Sequence, residues 1–87
     1  MADSDLLQFP CEFPIKALGP SSEGFPELVI DIVRRHAPDL DEADISVRAS
    51  RGGSYLAVTV VIRATSRDQL DAIYHDLSAH DRVAMTL

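Results

Sequence analysis

The sequence predicts one α+β domain with the ferredoxin-like β-α-β-β-α-β plan, and three observations lead to it. Apolar residues alternate with polar ones in four short segments, and they recur at helical spacing in two others. These segments follow the order strand, helix, strand, twice over. The chain has 87 residues, 46% of them hydrophobic, which suits a single core. Right-handed crossovers in both halves then give a four-stranded antiparallel sheet in the order 4-1-3-2. Both helices cover one face of that sheet, and the other face stays open.

Residues 1–8 read as a flexible N-terminal tail and residues 9–87 as the single domain. The first strand leaves the Phe9-Pro10-Cys11-Glu12-Phe13-Pro14 segment and runs to about Leu18. It places Phe13, Ile15 and Ala17 on one side and Glu12, Pro14, Lys16 and Leu18 on the other. Pro14 has no amide to donate, so pairing near it is expected on one side only. Gly19 to Gly24 is a loop by its turn residues. The first helix spans about Phe25 to His36, with Phe25, Leu28, Val29, Ile32 and Val33 in one stripe. Pro26 suits its first turn, and Pro38 forbids continuation.

An acidic connector, Asp39 to Asp44, leads to a second strand over Ile45 to Ser50, with Ile45, Val47 and Ala49 inward. Arg51-Gly52-Gly53-Ser54 turns the chain back, its glycines supplying positive φ. The third strand, Tyr55 to Ala64, turns Leu56, Val58, Val60 and Ile62 inward, and Tyr55, Ala57, Thr59, Val61 and Arg63 outward. A second helix runs from about Arg67 to Ala79. Ser66 and Gln69 have capping-box spacing there, and Leu70, Ile73, Tyr74 and Leu77 form its stripe. A fourth strand, Arg82 to Leu87, closes the sheet with Val83, Met85 and Leu87 inward.

Several of these segments resemble the YbeD-like family of small bacterial proteins. The match lies in Phe9-Pro10-Cys11-Glu12-Phe13-Pro14-Ile15-Lys16, in the His36-Ala37-Pro38 helix end and in the Gly53-Ser54-Tyr55-Leu56-Ala57-Val58-Thr59-Val60 strand. The Ala64-Thr65-Ser66-Arg67-Asp68-Gln69-Leu70 junction fits as well. The resemblance implies a ferredoxin-like fold similar to the regulatory ACT domains of amino-acid enzymes. It also carries a lipoate-regulatory label, to which no residue of this chain speaks, and it brings no catalytic residues to transfer.

A net charge of −6 argues against a main role in gripping phosphate backbone, so nucleic acid is not an expected partner. No apolar run approaches a membrane span, and Met1 to Leu7, with Asp3 and Asp5, lacks the basic and apolar regions of a signal peptide. The single cysteine, Cys11, allows no internal disulfide and fits a reducing compartment, so a cytoplasmic location is expected. Glu12 beside it disfavours the thiolate, which makes Cys11 a packing residue. His36, His75 and His80 sit at or near helix C-termini, where the helix dipole accounts for them without a metal.

The sequence points to a non-catalytic regulatory or interaction module with no cofactor. An acylphosphatase would need an arginine in the glycine loop after the first strand, and a metallochaperone a Cys-x-x-Cys; Gly19 to Gly24 has neither. An RNA-recognition motif would need outward aromatics where Lys16, Ala57, Thr59 and Val61 stand. The open face gathers Lys16, Arg48, Arg63 and Arg82, with Tyr55, Thr59, Val61, Ala84 and Thr86 among them. Exposed apolar area from Tyr55 and Val61 marks this face as the expected surface for a protein partner. A homodimer formed through an edge strand or helix would leave it free. The alternative is an ACT-type domain sensing an amino-acid-like molecule at the helix-one loop, bounded by Gly19 and Gly24. Pro26 removes one of the amides such a site would use.

Overall fold

The computed structural model describes residues 8–87, so most of the expected tail, residues 1–8, lies outside the described residues. The elements are β1 (Cys11–Pro20), α1 (Phe25–Arg34), β2 (Ile45–Ala49), β3 (Tyr55–Ala64), α2 (Arg67–Ser78) and β4 (Met85–Thr86). The strands form one sheet in the order β2-β3-β1-β4, the expected arrangement, and every neighbouring pair is antiparallel.

β1 and β3 are the longest strands and pair along their whole length, from Cys11 opposite Ala64 to Pro20 opposite Tyr55. β1 thus continues two residues past the expected Leu18, because Gly19 and Pro20 keep their β3 partners. Its burial alternates as the period-two pattern requires: Ile15, Ala17 and Gly19 are buried, whereas Glu12, Pro14 and Lys16 are exposed. In β3, Val58, Val60, Ile62 and Ala64 are at most 2% exposed. Each buried valine or isoleucine of that row contributes roughly 1.5–3 kcal/mol.

The helices rest on this double row. α1 buries Phe25, Val29, Ile32 and Val33, and α2 buries Leu70, Ile73 and Leu77. Gly24 takes the N-cap of α1 with φ 82°, a conformation that favours glycine, and provides no side-chain cap. α1 ends at Arg34, before the expected His36, since the amides of His36 and Ala37 both turn back to the Val33 carbonyl. At α2 the Ser66 hydroxyl accepts from the Gln69 amide at 3.1 Å, one half of a capping box. The Gln69 side chain leaves the box open: its Oε1 accepts from the Thr65 amide at 2.8 Å, and its Nε2 donates to the His36 carbonyl at 2.7 Å.

The structure corrects three further sequence readings. β4 is only Met85–Thr86, and Met85 and Leu87, expected inside, are 54% and 62% exposed. The His80–Arg82 turn seats Val83 in the core, and Met85 then pairs with outward Leu18 and Thr86 with inward Ala17. The Ala84 amide donates to the Leu18 carbonyl at 2.7 Å, so Ala84 and Met85 both face Leu18, and this extra residue breaks the period-two count and reverses the facing of everything after it. Second, β2 ends at Ala49, and its inward row is not buried: Val47 lies opposite buried Val58 yet is 47% exposed. β2 is an edge strand, and the helices do not reach over it. Third, α2 ends at Ser78, with Ala79 as its C-cap. No helix among the described residues is long and apolar enough to cross a membrane.

Candidate functional site

The outer sheet face is built around the outward row of β3, flanked by β1 and β2. Lys16 and Ser46 both lie opposite Thr59, while Leu18 and Arg48 both lie opposite Ala57. Small side chains on the central strand between long ones on its neighbours make a trough. One hollow of about 210 Å3 is lined by Lys16, Ser46, Arg48, Ala57 and Thr59. A second, of about 370 Å3, lies toward the other edge and is lined by Pro14, Lys16, Thr59 and Leu87. The two share Lys16 and Thr59, so a cationic hollow adjoins an apolar one.

The cations at the centre of this face, Lys16 and Arg48, form no ion pair among the described residues. Among the described residues the ion pairs are Arg35–Asp31 and His36–Asp76, both on the helical side. Neither Lys16 nor Arg48 has a carboxylate within ion-pair distance. Of the nine residues expected on this face, Lys16, Arg48 and Thr59 come together here. Arg63 lies toward the far end of the sheet, opposite Glu12, in a separate hollow of about 280 Å3 lined also by Asp39, Asp41 and Asp44. No group of residues there or elsewhere among the described residues could hold a metal ion.

Tyr55 and Val61 are six positions apart on β3, roughly 20 Å at the strand rise, and do not form one apolar centre. The apolar surface comes instead from Pro14 and from Met85 and Leu87, which the sequence reading placed in the core. Leu87 is held there from both sides. Its amide and carbonyl bond the backbone of Lys16, and the Tyr74 hydroxyl donates to the same carbonyl at 3.1 Å. Burial raises the Tyr74 pKa, which keeps that hydroxyl a donor. No period-two count could place Leu87, because the break at Ala84 is set by tertiary contacts.

Arg82 leaves the face altogether. Its guanidinium donates to the Ser22 hydroxyl at 2.6 Å and to the Glu23 carbonyl at 2.8 Å, tying the start of the last segment to the helix-one loop. Thr86 and Ala84 are likewise not part of the outward row described above. At the loop, Gly19 packs against the Arg82 carbonyl and the Phe25 ring, and Gly24 is the α1 cap. The Phe25 amide bonds the Ser22 carbonyl and the Leu28 amide bonds the Gly24 carbonyl. With Pro26 lacking a donor, the first turn of α1 offers only the Glu27 amide.

The helical side carries one feature that sequence reasoning missed. His36 Nε2 and Asp76 Oδ2 are 2.7 Å apart, joining the end of α1 to α2. This bond, followed by the charges of His36, His75 and Arg35, outweighs desolvation and holds the Asp76 carboxyl below its ordinary value. The helix dipole alone had accounted for His36. Cys11 is a free thiol, half-buried against the core.

An open, partly basic sheet face on a four-stranded α+β sandwich defines a small ferredoxin-like domain. Comparison with known proteins places it further. The chain belongs to the family described as "Protein of unknown function (DUF493)", which matches residues 4–87. It is 47% identical to a UPF0250 protein of Nitrosomonas europaea and 51% identical to one of Ectopseudomonas mendocina, each match covering all of both chains. A UPF0250 protein of Pseudomonas paraeruginosa is 54% identical over 93% of this chain and 88% of its own. The resemblance to the YbeD-like family is thereby borne out. The solution structure of protein HP0495 from H. pylori shares the fold, with a TM-score of 0.69 over 93% of this chain and 85% of the other at 12% identity.

Proposed function

We propose that this chain is a non-catalytic interaction module that docks an acidic protein partner on its open sheet face. The observation carrying this reading is the pair of adjoining hollows around Lys16 and Thr59, one cationic through Lys16 and Arg48 and the other apolar through Pro14 and Leu87. A carboxylate in the first and an apolar side chain in the second would use both, and the unpaired cations would speed encounter more than they deepen affinity. The helix-one loop supports the sensing alternative less well. Arg82 already occupies its polar groups, and only the Glu27 amide remains open in the first turn.

The test is affinity capture from the cytoplasm of the source organism, comparing the native chain with Lys16→Glu/Arg48→Glu. Both side chains are exposed, so circular dichroism should show an unchanged fold. A captured protein that is lost with the variant, and that weakens as salt is raised, fits the proposal. An identical set of captured proteins from both forms refutes it.

A further inference from the structure

We propose that β2 is a self-association edge, along which two copies of this chain pair antiparallel about Val47 to make one continuous sheet. Just past the β2–β3 register, the Ser50 amide bonds the Tyr55 carbonyl at 2.8 Å while the Tyr55 amide bonds the Ser50 hydroxyl at 3.0 Å, so Ser50 faces Tyr55 at a hydrogen-bonding position in phase with the ladder. Bonded pairs alternate in an antiparallel ladder, which directs the amides and carbonyls of Ser46 and Arg48 toward β3. Those of Ile45, Val47 and Ala49 consequently point out of the sheet. The same three residues turn their side chains to the helical side, where Val47 is 47% exposed. The free edge thus presents backbone partners and an apolar row together.

The occupant is a second copy because the edge is self-complementary in one register. With a two-fold axis at Val47, Val47 meets the partner's Val47 and Ile45 meets the partner's Ala49. All three outward-pointing residues then bond through both amide and carbonyl. On the opposite face Arg48 lies across from the partner's Ser46. Sliding the pairing so that the axis passes through Arg48 would set two arginines directly opposite, which is unfavourable, and centring it on Ser46 would leave Ala49 unpaired.

β2 is short and carries Arg48 on its outer face, but it lacks the other devices that blunt an edge. It contains no proline and no inward charge, and its register with β3 runs without a bulge from Ile45 to Ala49. The opposite edge is poorer. β4 is two residues long, and beyond it β1 presents Pro14, which cannot donate. Pairing through β2 leaves the outer face of both copies uncovered, so the edge stands independently of the docking proposal.

Sedimentation equilibrium over a concentration series, combined with residue-resolved amide exchange, tests the edge. The native chain should reach twice its monomer mass, and the Val47 amide should gain roughly hundredfold protection as it does. Val47→Pro removes an amide the β3 ladder does not use, so the variant should fold and remain monomeric. Val47→Lys should do the same by charge, and serves if the proline variant does not fold. A native chain that stays monomeric overturns the proposal. So does a dimer whose Val47 amide exchanges freely, or one that survives in a folded Val47 variant.

Discussion

A Cβ placed on Gly19 would strike the Arg82 carbonyl and come within 2.6 Å of the Phe25 ring. Both neighbours are fixed, the one as backbone and the other as a fully buried core side chain. Gly19 is therefore demanded by close approach, and Gly24 by its positive φ, with open space around it. The two costs differ in kind. Gly19→Ala should lose about 3 kcal/mol, at the upper end of overpacking, because the backbone cannot yield. Gly24→Ala should lose only about 1 kcal/mol through its left-handed conformation. Urea unfolding of the two variants measures this; equal losses would mean that the loop gives way at Gly19. The glycines were visible in the sequence as loop punctuation. Their different reasons were not, since Arg82 is distant along the chain.

At the scale of elements, the two helices are locked at one end by side chains. Asp76 on α2 meets His36 just past α1, and Gln69 on α2 caps the His36 carbonyl. The hydrogen bond from His36 holds the Asp76 carboxyl below its ordinary value of 3.8. A carboxyl whose folded pKa lies below its unfolded one adds stability that is complete above the unfolded value. That contribution is lost as pH falls through the lower, folded value. Asp76→Asn removes the titrating charge, so the variant should be less stable at neutral pH and should lose less on acidification below 3.8. Urea midpoints across that range provide the check, and parallel acid profiles for both proteins would count against the clasp. Spacing on either helix alone could not reveal this pair, because its partners are 40 positions apart.

For the molecule as a whole, the decisive asymmetry is a sheet with one covered face and one open face. Val58 is fully buried beneath the helices, whereas Thr59, the next residue, lines both hollows of the outer face. Val58→Asp would bury an unpaired charge and should prevent stable folding. Thr59→Asp sets its carboxylate near Lys16 and Arg48 and should leave the fold intact. Thermal unfolding of both variants distinguishes the faces; comparable damage from each would show that the outer face is covered.

The β-α-β-β-α-β order, the strand arrangement, the inward rows of β1 and β3 and both helical stripes were legible in the sequence. Each rests on a local periodicity long enough to admit one facing, and chain handedness does the rest. Lys16, Arg48 and Thr59 could be placed on one face for the same reason. Tertiary structure alone decided which apolar positions lack cover and which side chains meet across the chain. Val47 is exposed because its strand lies at an edge beyond the helices, and Met85 and Leu87 are exposed because a turn resets the alternation before β4. Arg82 serves the helix-one loop and His36 meets Asp76 because the fold brings distant segments within bonding distance, which no local pattern encodes.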